Sequence, residues 1–212
     1  MDTLQEAKCI FCERLVLGPA ANAPWDTTIA ETDKYRIVPT KGSLVPGWLL
    51  AVSKSHALCS GELETHELNC LEKAIGVATE FVERHFGAAT IFEHGPRVAG
   101  TSLGCGVDHL HFHVAPLKFS LVEAVDSVVP NARWAKLEGL QALRTLHKAG
   151  IGYAVVGEPG GGMVWFQPPP NIRQPLRRAI ANRLGTPELF DYAAHPHVEN
   201  VLRTLEHVGV GA

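Results

Sequence analysis

Apolar positions in this chain recur with two different periods, and the change of period marks out the elements. Residues 27–31 and 35–39 read as short strands around the turn-like Thr32-Asp33-Lys34. Pro46-Gly47 breaks the chain before Trp48-Leu49-Leu50-Ala51-Val52, a compact apolar run predicted as a central strand that ends in Ser53-Lys54-Ser55-His56. From about residue 62 to 86 the period becomes helical. Leu68, Leu71, Ile75, Ala78 and Val82 form one stripe, and Glu72, Lys73, Glu80 and Glu83 lie outside it. Glu62 and Glu64 suit the positive end of that helix, and Gly87 suits its stop. Residues 89–95 return to a strand pattern and lead into a glycine-rich loop through Gly106. Beyond residue 117 the pattern predicts helices at 119–126, 132–148, 173–184 and 197–208, and a hairpin pairing 153–156 with 163–167. Strands alternating with one long helix before residue 117 predict an α+β core with an antiparallel sheet of about five strands. The division expected is a core over 1–118 and a mixed helical and hairpin extension over 119–212.

One stretch departs from ordinary amphipathic patterning. His109, His111 and His113 occupy alternate positions, with Leu110, Phe112 and Val114 between and after them. An extended chain turns successive side chains to opposite faces, so the three rings share one face at intervals of roughly 6.6 Å. The apolar residues face a core on the other side. A helix would scatter the three rings around its axis, so the strand is the form with chemical meaning.

Composition narrows the setting. The chain has 212 residues, enough for one domain with an extension, and is 46% hydrophobic and 19% charged. A net charge of -3 argues against a broad nucleic-acid-coating surface. No apolar run approaches bilayer length, and the start Met1-Asp2-Thr3-Leu4-Gln5-Glu6 is unlike a signal peptide, so a cytoplasmic protein without membrane partners is expected. Five cysteines, an odd number, then favour reduced thiols or metal ligands over a disulfide framework.

Two chemistries follow from these residues. Cys9 and Cys12, at the spacing of a two-thiolate grip, join with His56 and His109 into a Cys2His2 set that can close a tetrahedral zinc site. Such a set leaves no open position for water, so the zinc expected is structural. His111, neutral at neutral pH, offers a ring nitrogen as nucleophile, and its neighbours can fix its tautomer. The backbone around Gly104-Cys105-Gly106 can present N–H groups to developing negative charge. Attack by histidine on phosphorus fits these parts. The two-metal pattern His-x-His-x-Asp-His is absent, because position 112 is Phe and Asp108 precedes the triad.

His109-Leu110-His111-Phe112-His113-Val114-Ala115 resembles the signature of the histidine triad superfamily: His, apolar, His, apolar, His, two apolar. Gly104-Cys105-Gly106-Val107 resembles the Gly-Gln-Ser-Val approach of that family, Pro46-Gly47 through His56 resembles its Pro-Gly-His strand ending in Lys-x-His, and Cys9-Ile10-Phe11-Cys12 matches the cysteines of zinc-binding bacterial members. These pieces span residues 9–117. A weaker similarity, from Gln174 to Asp191, is to the C-terminal regions of larger triad relatives of the lariat-debranching-cofactor type.

The resemblance implies an enzyme acting on the α-phosphorus of a nucleotide carrying an AMP-like moiety. His111 matches the nucleophile that forms a nucleotidyl-histidine, His113 the phosphate-contacting third position, and His109 the first triad position and, with Cys9, Cys12 and His56, the zinc set. The leading expectation is a nucleoside 5'-phosphoramidate hydrolase. A dinucleoside polyphosphate hydrolase or nucleotidyltransferase is the near alternative, and a non-catalytic nucleotide- or RNA-binding module the distant one. Homodimer formation is left open.

The sequence departs from the family at three positions. Trp48 stands where a fourth histidine is usual, Thr40 near the usual ribose-binding acid, and Gly106 in place of a serine. His94, placed in a loop near the substrate, is the candidate to deliver a proton. Arg173, Arg177 and Arg178 form a basic cluster suited to bidentate phosphate contact, though a solvated helix face is the commoner explanation, and Trp165 and Phe166, able to stack on a base, read more simply as core.

Overall fold

The computed structural model describes residues 9–16, 23–101 and 107–209. The apolar runs become eight strands: β1 (Ala30–Glu31), β2 (Tyr35–Pro39), β3 (Leu49–Ser53), β4 (Thr90–Gly95), β5 (His111–Ala115), β6 (Ala135–Leu137), β7 (Tyr153–Gly157) and β8 (Met163–Phe166). The helices are α1 (Thr65–His85), α2 (Leu121–Ala124), α3 (Gln141–Lys148), α4 (Pro175–Arg183) and α5 (Val198–Leu205). All eight strands form one antiparallel sheet in the order β1-β2-β3-β5-β4-β7-β8-β6. The fold is α+β as expected, but the sheet has eight strands rather than about five. The hairpin β7–β8 does not stand apart. It continues the sheet, with β7 pairing along β4 from Ile91↔Gly157 to Gly95↔Tyr153.

Alternation along the strands separates two cores. Tyr35, Ile37, Leu49, Ala51, Phe112, Val114, Tyr153 and Val155 face one side and meet the α1 stripe Leu68, Leu71, Ala74, Ile75, Ala78 and Val82. A fully buried aliphatic side chain contributes about 1.5–3 kcal/mol, so this stripe alone outweighs the helix's intrinsic propensity. The Glu64 N–H donates to the Glu67 carboxylate at 2.7 Å to start α1, and Gly87, at φ +107°, closes it with its N–H on the Val82 carbonyl. On the other face, Phe92, Ala154, Val156, Phe166 and Trp48 pack against Leu121, Leu176, Ala179 and Ile180. Phe166 is thus core, as expected.

Two expectations fail locally. Residues 132–148 are not one helix, because Ala135–Leu137 pairs with β8 and Gly139, at φ +78°, turns the chain before α3 begins at Gln141. Three residues with one buried side chain carry too little pattern to announce a strand; the pairing decides. His109 also lies before β5 rather than within it, since regular pairing begins at Val52↔His111.

Candidate active site and metal centre

The register of three neighbouring strands builds the site. His113 sits opposite Leu50 on β3 and Phe92 on β4, and His111 opposite Val52. His111 and His113 therefore share the face away from α1, with ring centroids 5.0 Å apart. They line a cavity of about 470 Å³. Its apolar wall is Phe11, Val38 and Leu50, and its polar wall carries Lys41, Arg177 and Tyr192.

The chain between His109 and His111 sets the first proton. His111 Nδ1 lies 2.7 Å from the His109 carbonyl oxygen. A carbonyl only accepts, so Nδ1 carries the hydrogen and Nε2 keeps its lone pair. Burial, with Arg177 nearby, lowers the pKa of His111 despite the opposing effect of that hydrogen bond. The ring is neutral at pH 7, with a nucleophilic nitrogen on a cavity-lining side chain.

His113 is 4% exposed and stacks on Phe92 at 4.6 Å. Trp48 Nε1–H donates to its Nδ1 at 3.1 Å, and its buried Nε2 has no hydrogen-bond partner among the described residues. Burial first, then His111, His94 and Arg177, hold its pKa well below the ordinary histidine value.

His94 lies within β4, not in a loop, and is buried. Its Nε2 accepts the Leu176 N–H at 3.3 Å as α4 covers that part of the sheet, and burial lowers its pKa to about 3. It stands 6.3 Å from the His113 ring and is not among the residues lining the cavity. Gly104, Cys105 and Gly106 lie outside the described residues.

The arginine cluster divides. Arg173 is exposed, whereas Arg177 is 2% exposed and lines the cavity. Its guanidinium donates to the Phe190 and Gly42 carbonyls and lies 4.6 Å from the centroid of the Trp48 ring. A solvated face was the wrong reading for this residue: α4 turns it inward onto a loop from the far end of the chain. The signal in the sequence was the arginine cluster's fitness for phosphate; the structure adds Gly42, at φ +74°, where an added Cβ would run into Tyr192 and Arg177. Lys41, Trp25, Phe11 and Tyr192 also line the cavity unforeseen.

The four expected metal ligands come together. Cys9 Sγ lies 3.3 Å from His109 Nδ1, and Cys12 Sγ lies 3.3 Å from His56 Nδ1 and 3.4 Å from His109 Nδ1. All four donor atoms fall within 4.8 Å of one another. A tetrahedron with bonds of about 2.0–2.3 Å has edges of roughly 3.3–3.8 Å, so the set fits a closed metal site. His109 Nε2 meets the Ser53 carbonyl at 2.7 Å, which leaves Nδ1 unprotonated as the ligand atom. This orientation explains why His109 leaves the strand: its ring turns toward the cysteines while its carbonyl stays with His111.

No protein-family model matches the chain, and no curated protein matches it in sequence. Among solved structures, it is similar to a Hit-like protein involved in cell-cycle regulation from Bartonella henselae, at 19% identity over 68% of this chain and 97% of that one, with a TM-score of 0.43. It is also similar to the yeast Ap4A phosphorylase Apa2, at 13% identity over 89% of this chain and 77% of that one, with a TM-score of 0.45. The Apa2 complex with AMP gives 16% identity, coverage of 77% and 72%, and a TM-score of 0.40.

Proposed function

We propose that this protein is a histidine-triad-type enzyme that cleaves a nucleoside 5'-phosphoramidate through a nucleotidyl-histidine intermediate. The hydrogen bond from His111 Nδ1 to the His109 carbonyl carries this reading, because it leaves Nε2 unprotonated on a residue of the cavity wall. His111 Nε2 attacks the α-phosphorus, the P–N bond breaks, and the amine departs after taking a proton from solvent. Water then attacks the phosphorus, the P–Nε2 bond breaks, and His111 is released neutral with the nucleotide. His113 and the positive charge of Arg177 and Lys41 stabilise the phosphoryl oxygens. Amides of residues 104–106 are proposed as further donors, and His94 as support for His113 rather than a group touching substrate. Residues 1–118 are assigned as the catalytic core, with 119–212 as an extension supplying Arg177 and Tyr192 to the cavity.

Three basic side chains in the lining, Arg14, Lys41 and Arg177, against two carboxylates, Asp26 and Asp108, favour a second reading, in which the leaving group is itself anionic, as in a dinucleoside polyphosphate. Cys9, Cys12, His56 and His109 would hold zinc, which supplies structural closure and no catalytic step.

Intact-mass spectrometry after incubation with an AMP phosphoramidate and, separately, a dinucleoside polyphosphate tests both readings. A mass gain of one nucleotidyl group, lost in His111→Asn, is expected, and the more productive reagent identifies the leaving group. No adduct and no turnover with either would overturn the enzyme assignment in favour of a binding module.

A further inference from the structure

We propose that Trp48 is a positioning residue that holds His113 in the tautomer bearing its proton on Nε2. An indole N–H donates and has no acceptor lone pair. Its 3.1 Å contact with His113 Nδ1 therefore requires that nitrogen to be unprotonated. A neutral ring then carries its single proton on Nε2, the buried atom without a partner among the described residues. A buried donor left unpaired is costly, and His113 is among the residues that line the cavity, so an acceptor brought by substrate, such as a phosphoryl oxygen, would satisfy it.

The surroundings hold Trp48 on both sides. Gly47, at φ +82°, lets the chain turn against Phe86, and its N–H donates to Thr204 Oγ1 at 2.8 Å on α5. Arg177 on α4 covers the indole face, while Phe92 packs at its edge, 5.6 Å between centroids. A side chain that only filled space would need neither the directed N–H nor the cation on its ring. The device also gives the added C-terminal segment a path to the triad, from Arg177 through Trp48 to His113.

The inference about tautomer stands on geometry alone; its consequence for rate rests on the proposed function. The test is 15N-resolved spectroscopy of the histidine rings, with and without Trp48→Phe, which keeps an aromatic ring and removes the N–H. The wild-type protein is expected to show His113 with Nδ1 unprotonated and Nε2 protonated, and W48F to show a mixture of tautomers. With an AMP phosphoramidate, W48F is expected to lower kcat by at least about tenfold, since a wrong tautomer disables a positioned histidine, with KM within about twofold. Trp48→His, which restores a ring N–H, is expected to recover part of that loss.

A wild-type His113 protonated on Nδ1 would overturn the proposal, and so would a W48F spectrum unchanged at His113. The wild-type spectrum decides even where W48F does not fold. Absence of turnover in wild-type protein would count against the enzyme reading and leave the tautomer result to stand by its own spectrum.

Discussion

At the scale of single residues, the site is governed by which nitrogen carries a proton. His111, half-buried, and His113, buried, are both neutral and share one face, yet one is set by a carbonyl and the other by an indole N–H. The two rings therefore differ at Nε2, a lone pair on His111 and a donor on His113. Replacing His111 by Asn should reduce turnover by about 10³-fold or more while leaving nucleotide binding, as measured by calorimetry alongside rate. His94 gives a separate, pH-linked prediction. Its pKa in the fold, about 3, lies below its ordinary value of 6.5, so between these limits the unfolded chain binds the extra proton. Stability is expected to fall as pH drops from about 6.5 toward 3, by several kcal/mol from this group alone. His94→Gln should flatten that slope in denaturant titrations at pH 7, 5 and 4.

At the scale of elements, what the sequence pattern reveals depends on how many residues repeat the signal. Helix α1, with six buried positions in 21 residues, was legible almost to the residue, and so were β2, β3 and the face that His111 and His113 share. Strand β6 was not, because a three-residue strand is specified by its partner β8 and not by its own alternation. The cluster of Cys9, Cys12, His56 and His109 was legible because cysteines and histidines at such spacings have little other use together. Arg177 was missed for the opposite reason: a short basic helix looks the same whether water or a distant loop receives its charge. That loop supplies a prediction. Gly42→Ala adds a Cβ where Tyr192 and Arg177 already lie, at a positive φ, and should destabilise the protein by about 1–3 kcal/mol. Nucleotide affinity should weaken in the same variant, because the displaced side chains line the cavity.

At the scale of the whole molecule, two long-range ties hold distant parts of the chain to the sheet. The cysteines at the N-terminal side reach His109, about a hundred residues away in sequence. One zinc per chain is expected by elemental analysis, and Cys9→Ser with Cys12→Ser should remove it and lower Tm; unchanged Tm and metal content would exclude the site. The second tie is β4 against β7. A chain ended at residue 118 would open that side of β4 and expose Phe92 and Trp48, and should be recovered as aggregate rather than as a folded core. No helix among the described residues is long and apolar enough to cross a membrane. The outermost strands of the sheet are β1, with two residues, and β6, with three. Among the described residues such stubs offer little backbone for another chain to copy, which disfavours strand addition at either end. A second copy or an extended peptide is then expected to be recognised by side chains rather than by lengthening the sheet.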